Sequence, residues 1–441
     1  MSKPVSYTPP DLADPIAGTV ARRLVFYIPG YDPEARSRYR LLFVRELGLR
    51  TKRFGEAKRE IGRASLSADG LVQSWTVKAH PQTQGAETRY EVLLWDDIVL
   101  RDAARSKFAS AGLLLAGTGH ALLAGKLFTF YRLNWKYGNV ILYPFVLLLL
   151  LSMVAALVAM SVHAHLGTGY AHSLGLPAWL SIPAGILAGL AMIKACERLL
   201  DRAYFWQLLN DWIFNWQHGQ GWRRDYERRL DAFAEHVLAR LAAPDIIGGV
   251  PDEVMIVGHS SGALTAVEVA ARLLARTSDL GEDVPNLSLL TLGSGLPLVA
   301  LQPRATRLRA EIARLVTSRR IVWTDYAAPQ DWMNFPGFNP VHDLDLKLGA
   351  ADRIANPVLR SPRFRDIIEP ATYARVRFRP FRMHFQFLMA NDLRGDYDFF
   401  DLTLGHQRLR DRVSEPAEDG RTTAHAGRGL NPPARLAQET P

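Results

Sequence analysis

Cysteine is almost missing from this chain. Cys196 is the only one in 441 residues, which excludes an internal disulfide framework and a multi-cysteine zinc site. Zinc-finger, RRM and basic-zipper patterns are missing too, and the Lys and Arg residues are scattered. The net charge of +9 therefore reads as an affinity for anionic lipid surfaces, with no nucleic-acid partner. The N-terminal stretch MSKPVSYTPPDLADPIAGTVARR lacks the apolar core of a secretory signal. Large apolar side chains nearly vanish from about Arg412 onward, so residues 412–441 are expected to form a disordered tail. At 48% hydrophobic and 22% charged residues, the chain as a whole is neither disordered nor membrane-embedded throughout.

Charge is absent from two long runs, residues 140–162 and 173–193. At about 1.5 Å of rise per residue, each can cross a hydrocarbon layer roughly 30 Å thick. A soluble helix of this length would carry charges on a wet face, so a membrane hairpin is expected. Arg105, Lys107, Lys126, Arg132 and Lys136 precede it, and Lys194, Arg198 and Arg202 follow it. The connecting loop, 163–172, has neither Lys nor Arg. The positive-inside rule then puts that loop outside and both flanks in the cytoplasm, at the inner membrane. A weaker apolar stretch, 108–125, reads as an interfacial or groove-lining helix. GHALLAGKL within it has the wrong spacing for a phosphate-binding loop. His163, His165 and His172 lack acidic partners and read as a polar loop tip, not a metal site.

What is present centres on VMIVGHSSGALTAVEVAARL, residues 254–273. An apolar run suited to a buried parallel strand leads into Gly258-His259-Ser260-Ser261-Gly262, and apolar residues then recur at helical spacing without proline. Strand, G-x-S-x-G and helix in this order describe a nucleophile elbow. The serine sits on a strained turn that projects its hydroxyl, and the two glycines remove side chains that would collide across it.

The remaining chain alternates strand and helix patterns. Strands are predicted over residues 23–28, 71–79, 90–95, 254–257, 287–292 and 321–323, and helices over 39–47, 222–241 and 306–317. This alternation predicts an α/β fold with a doubly wound, mostly parallel sheet. Neither half has enough strands alone, so the two-helix hairpin is read as an insertion into one domain. The resulting segments are an N-terminal extension (1–20), the first part of the domain (21–104), the membrane insertion (105–204), the second part (205–411) and the tail.

On the elbow and this alternation, the chain resembles the α/β-hydrolase superfamily, the serine esterases and lipases among them, with a transmembrane insertion. FYIPGYDP resembles the family's strand and oxyanion loop, with Pro29 where a histidine is usual. The resemblance implies Ser260 as nucleophile, followed in the chain by an acid and then a histidine. Two acids follow the strand at 321–324. Asp331, shortly before Pro336, fits the family pattern better, and Asp325 is the alternative. For the base, His384 in MHFQF is preferred over His342 and His406. His259 occupies the elbow's variable position. The backbone N–H groups of Ser261 and Tyr31 would form the oxyanion hole.

The expected protein is a membrane-anchored serine hydrolase that cleaves lipid or other acyl esters through an acyl-enzyme, with a catalytic triad and no metal or cofactor. The bilayer and the acyl ester are its expected partners. The alternative is a non-catalytic, membrane-anchored α/β-hydrolase-like binding or scaffold module.

Overall fold

Alternate residues of one central strand look into two different cores. On β1 (Arg22–Ile28), Leu24, Phe26 and Ile28 join one buried cluster, while Val25 and Tyr27 join the other. Successive side chains of a strand point to opposite faces, so a strand apolar on both sides must be covered on both sides. The computed structural model describes residues 19–80, 85–167, 177–243, 248–277, 286–349 and 352–414.

The other strands are β2 (Glu60–Ile61), β3 (Ser65–Leu66), β4 (Val72–Lys78), β5 (Glu87–Leu93), β6 (Glu253–His259), β7 (Asn286–Leu292), β8 (Ile321–Tyr326) and β9 (Val358–Arg360). Their order is β2-β4-β5-β1-β6-β7-β8-β9, with β3 also paired to β4. From β5 to β9 every neighbouring pair is parallel, and β4 with its short partners runs antiparallel at one edge. Helices cover both faces, so the α/β class with a mostly parallel sheet is observed. β1 lies between β5 and β6. The chain therefore leaves the sheet on one side of β1 and returns on the other, and the crevice at the strands' C-terminal ends is a topological switch point.

The excursion between β5 and β6 carries the apolar segments. The helix Trp135–His165 is long and apolar enough to cross a membrane, and nothing in its most apolar window is buried. Leu149, Met153, Leu157 and Met160 are exposed along it. The second expected run is described only in part, because residues 168–176 lie outside the described residues. Its helix, Ser181–Ala195, is shorter than the roughly 20 residues a span requires. This helix packs on the first through small residues. A Cβ on Gly185 would lie 2.4 Å from the Ala159 carbonyl oxygen, and one on Gly189 would lie 2.8 Å from that of Ala155. Glycines four residues apart permit such close helix contact in lipid.

Two expectations need correction. The stretch 108–125 is not groove-lining, since none of its residues borders the cleft described below. It forms the helix Lys107–Leu123, bent by 81° from Lys126–Leu133 at Gly125, which has φ +68°. Gly117 seats it on the Trp216 indole, while Phe108 and Leu123 stay exposed. The expected tail also begins too early, because residues 412–414 belong to the helix Leu409–Ser414. The rest of the tail, residues 1–18 and His172 lie outside the described residues.

Candidate active site

β6 is buried along its whole length and ends at the elbow. Ser260 follows with φ +61° and ψ −127°, a conformation that a non-glycine residue adopts only under strain. Its N–H donates to the Leu292 carbonyl at 2.9 Å, and its own carbonyl accepts from Gly295 N–H at 3.3 Å. The turn is thus held by the end of β7 and the residues just after it. The two flanking glycines are required by contact. A Cβ on Gly258 would sit 2.2 Å from the Gly262 carbonyl oxygen, and one on Gly262 would sit 2.2 Å from that of Ile28. Gly30 lets the loop after β1 reach the serine, since a Cβ there would lie 3.1 Å from the Ser260 Cβ.

Ser260 is half-buried and lines a cleft of about 660 Å³, counting its open mouth. Tyr31, Ser261 and His384 line the same cleft. His384 ends the short helix Pro380–His384 and is buried. Its Nδ1–H donates to Asp331 Oδ2 at 2.7 Å. Its Nε2 is buried without a hydrogen-bond partner. A ring that donates from Nδ1 carries its lone pair on Nε2, the tautomer of a general base. Asp331 is fully buried and also accepts from Met333 N–H at 2.9 Å and from Asn334 Nδ2 at 2.5 Å. Three donors converge on this carboxylate.

The other candidates lie elsewhere. Asp325, on β8, accepts from the Thr291 hydroxyl at 2.5 Å and lines a separate small pocket with Ser294 and Trp323. Burial pushes its carboxyl up to about 6, and the Thr291 hydrogen bond pulls the other way. The His342 ring is exposed beside Asp343. His406 gives its carbonyl to Val20 N–H, so its backbone pins the start of β1. His259 is buried, and its Nε2 meets the His384 carbonyl oxygen at 3.1 Å. Burial, with His384 nearby, holds the His259 ring well below the usual histidine range. It is therefore a neutral prop for the segment that carries His384.

Two features of the cleft were not read from the sequence. Tyr137, Val140 and Ile141, from the first turns of the long apolar helix, line it. So does Asp211, from the helix Phe205–Gly219, whose Oδ1 accepts from the Ser261 hydroxyl at 2.9 Å. The apolar spacing around Asp211 marks that helix as amphipathic, but nothing local tells that its single acid faces inward.

Among the described residues, His218, Glu227 and Glu268 bring one ligand atom each within 4.8 Å of one another. Arg272 and Arg307 already pair with Glu227, and the His218 ring bonds Glu268 at 2.8 Å. This is a charge-compensated network, a poor place for a cation. Compared with protein-family models, with curated proteins and with solved structures, the chain matches none.

Proposed function

We propose that this protein is a membrane-anchored serine hydrolase of α/β-hydrolase type that cleaves carboxylic esters through an acyl-enzyme. One observation carries the reading: a serine on a strained elbow shares its cleft with a buried imidazole whose Nδ1 is bound to Asp331 and whose Nε2 is free. In the reaction, His384 Nε2 takes the Ser260 proton as Oγ attacks the ester carbonyl. Negative charge on the carbonyl oxygen develops toward the backbone N–H groups of Ser261 and Tyr31. Two such donors lower the barrier by several kcal/mol, on the order of 10²–10³ in rate for each. The imidazolium, steadied by Asp331, returns the proton to the departing alkoxide. Water then repeats the sequence on the acyl-serine and releases the acid.

The position of the cleft supports an acyl substrate. Three of its lining residues belong to the helix Trp135–His165 and the others include Leu208, Trp212, Phe381 and Phe385. An acyl chain that leaves the bilayer along this helix meets apolar wall as far as the serine. In this reading the uncharged runs 140–162 and 173–193 form the membrane hairpin, the second run beginning before its described helix Ser181–Ala195. The basic flanks keep the catalytic domain on the cytoplasmic side.

A fluorophosphonate probe tests the chemistry. Labelling of the full chain in bilayer nanodiscs, lost in Ser260→Ala, is the expected result. No labelling of well-folded wild type would mean a non-catalytic module. For the topology, a cysteine at Gly167 in a Cys196→Ser background should react with an impermeant thiol reagent in intact cells. Protection at that site would reverse the orientation.

A further inference from the structure

Asp211 is a half-buried acid that the hydrolytic cycle does not use. Its helix otherwise turns large apolar side chains inward, among them Leu209, Trp212, Ile213 and Phe214. A carboxyl in such company is costly unless it is paired. Yet no Lys or Arg among the described residues bonds to it. Oδ1 accepts from the Ser261 hydroxyl at 2.9 Å and from Asn215 Nδ2 at 3.1 Å. Oδ2 has no hydrogen-bond partner among the described residues, although the side chain borders the cleft. The acid is ringed by protein while still touching cleft solvent.

The titratable groups around it do not supply a counter-charge. Tyr31 and Tyr137 share the cleft wall with it. Asp102 lies behind Tyr31, bonded to that hydroxyl at 3.1 Å, and is itself neutralised by Arg223 and Arg105. Two histidines line the cleft: burial keeps His259 well below the usual histidine range, and the Nδ1 of His384 belongs to Asp331. Burial pushes the Asp211 carboxyl up to about 6, against the pull of Ser261, Asn215 and His384. The cleft lining holds one other acid, Asp32, which Arg38 pairs at 2.8 Å, and Asp331 lies behind His384. Asp331 has three donors, whereas Asp211, one residue's reach from the nucleophile, keeps an oxygen unmatched.

We propose that Asp211 determines specificity: its Oδ2 receives a hydrogen-bond donor, a hydroxyl or an ammonium, carried close to the ester on an otherwise apolar acyl substrate. The proposal rests on the hydrolase reading for what the substrate is, and on Asp211's own geometry for what it carries. A plain hydrocarbon displaces the cleft solvent and leaves the carboxylate oxygen without a partner, and an anionic substituent is repelled by it. A site with a committed hydrogen-bonding group discriminates strongly against an analogue that lacks the partner.

The test is binding of three matched N-methylamides to the full chain in nanodiscs, by calorimetry: those of octanoic, 3-hydroxyoctanoic and 3-aminooctanoic acid. Amides of this kind resist ester hydrolases, so binding is read apart from turnover. Wild type should bind the hydroxy and amino amides at least about tenfold tighter than the plain one. Asp211→Leu should abolish both preferences. Asp211→Asn, which keeps the shape and the bond to Ser261, should lose the amino preference. In wild type, lowering the pH from 8 to 5 should erode the amino preference and spare the hydroxy one, because a protonated carboxyl no longer attracts a cation. A purely structural Asp211 would weaken all three amides alike and leave their ratios untouched. Equal affinities in wild type, or ratios preserved in both variants, overturn the proposal. Selective binding without Ser260 labelling by fluorophosphonate would instead refute the hydrolase reading alone.

Discussion

Asn134 caps the long apolar helix and at the same time holds the loop that carries the acid. Its Oδ1 accepts from Lys136 N–H at 3.1 Å, and its Nδ2 donates to the Asn334 carbonyl at 2.7 Å. Asn334 in turn donates its side-chain N–H to Asp331. Lys136 adds a second tie, from Nζ to the Pro329 carbonyl at 2.7 Å. The base of the apolar helix and the orientation of His384 are therefore joined by three successive polar contacts.

Asn134→Ala should cost about 1 kcal/mol of stability for the lost cap. Its effect on ester turnover should be larger than that loss implies, because the acid loop is released as well. Denaturant titration against kcat in the same preparation checks this. A fall in stability with unchanged kcat would show that Asp331 does not depend on the helix.

The two acids after β8 should separate cleanly. Asp331→Asn removes the carboxylate that holds His384 in its Nδ1–H tautomer, and kcat should fall by roughly 10⁴. Asp325→Asn should leave turnover within a few-fold of wild type, because its partner is Thr291. The reverse pattern would require the loop after β8 to rearrange for the proposed reaction.

Asp325 should instead register in stability. The unfolded group ionises near 3.9, and the folded one at about 6. A carboxyl raised on folding contributes fully below the unfolded value, and its contribution is lost as pH rises through 6. Asp325→Asn should therefore stabilise the protein by on the order of 2 kcal/mol at pH 8 and hardly at all at pH 4. Urea titrations at the two pH values read the difference directly.

Gly262→Ala should be among the most damaging single-methyl additions in the chain. The new Cβ would sit 2.2 Å from the Ile28 carbonyl oxygen and 2.4 Å from that of Pro29. Overpacking against backbone should cost roughly 2–3 kcal/mol. Fluorophosphonate labelling of the fraction that remains folded should slow too, since the end of β1 and the loop after it must move. A variant with wild-type stability and labelling would show the elbow to be looser than its contacts indicate.

Local pattern made much of the architecture legible. The run 254–257 became the core of β6, 287–292 fell within β7, and 306–317 coincides with the helix Thr306–Thr317. The helix shows its period over twelve residues, and the two strands are apolar runs that burial on both faces of the sheet rewards. The short strands β2, β3 and β9 carry too few residues for any period to show, and none was expected. The second apolar run was read as a span from composition, yet its described helix, Ser181–Ala195, is short. Composition reports how apolar a stretch is, not where its helix begins.

By itself, the sequence determined that Ser260 follows a buried strand, that glycines flank it, and that residues 140–162 carry no charge. Each is a property of neighbours along the chain. Only the tertiary structure decided that Asp331 and not Asp325 meets His384, and that Asp211 stands beside Ser261 with an oxygen to spare. It also decided that Tyr137, Val140 and Ile141 wall the cleft. Those pairings join residues dozens of positions apart. They depend on how parallel crossovers bring strand ends and loops together, a relation that spacing within one segment does not encode.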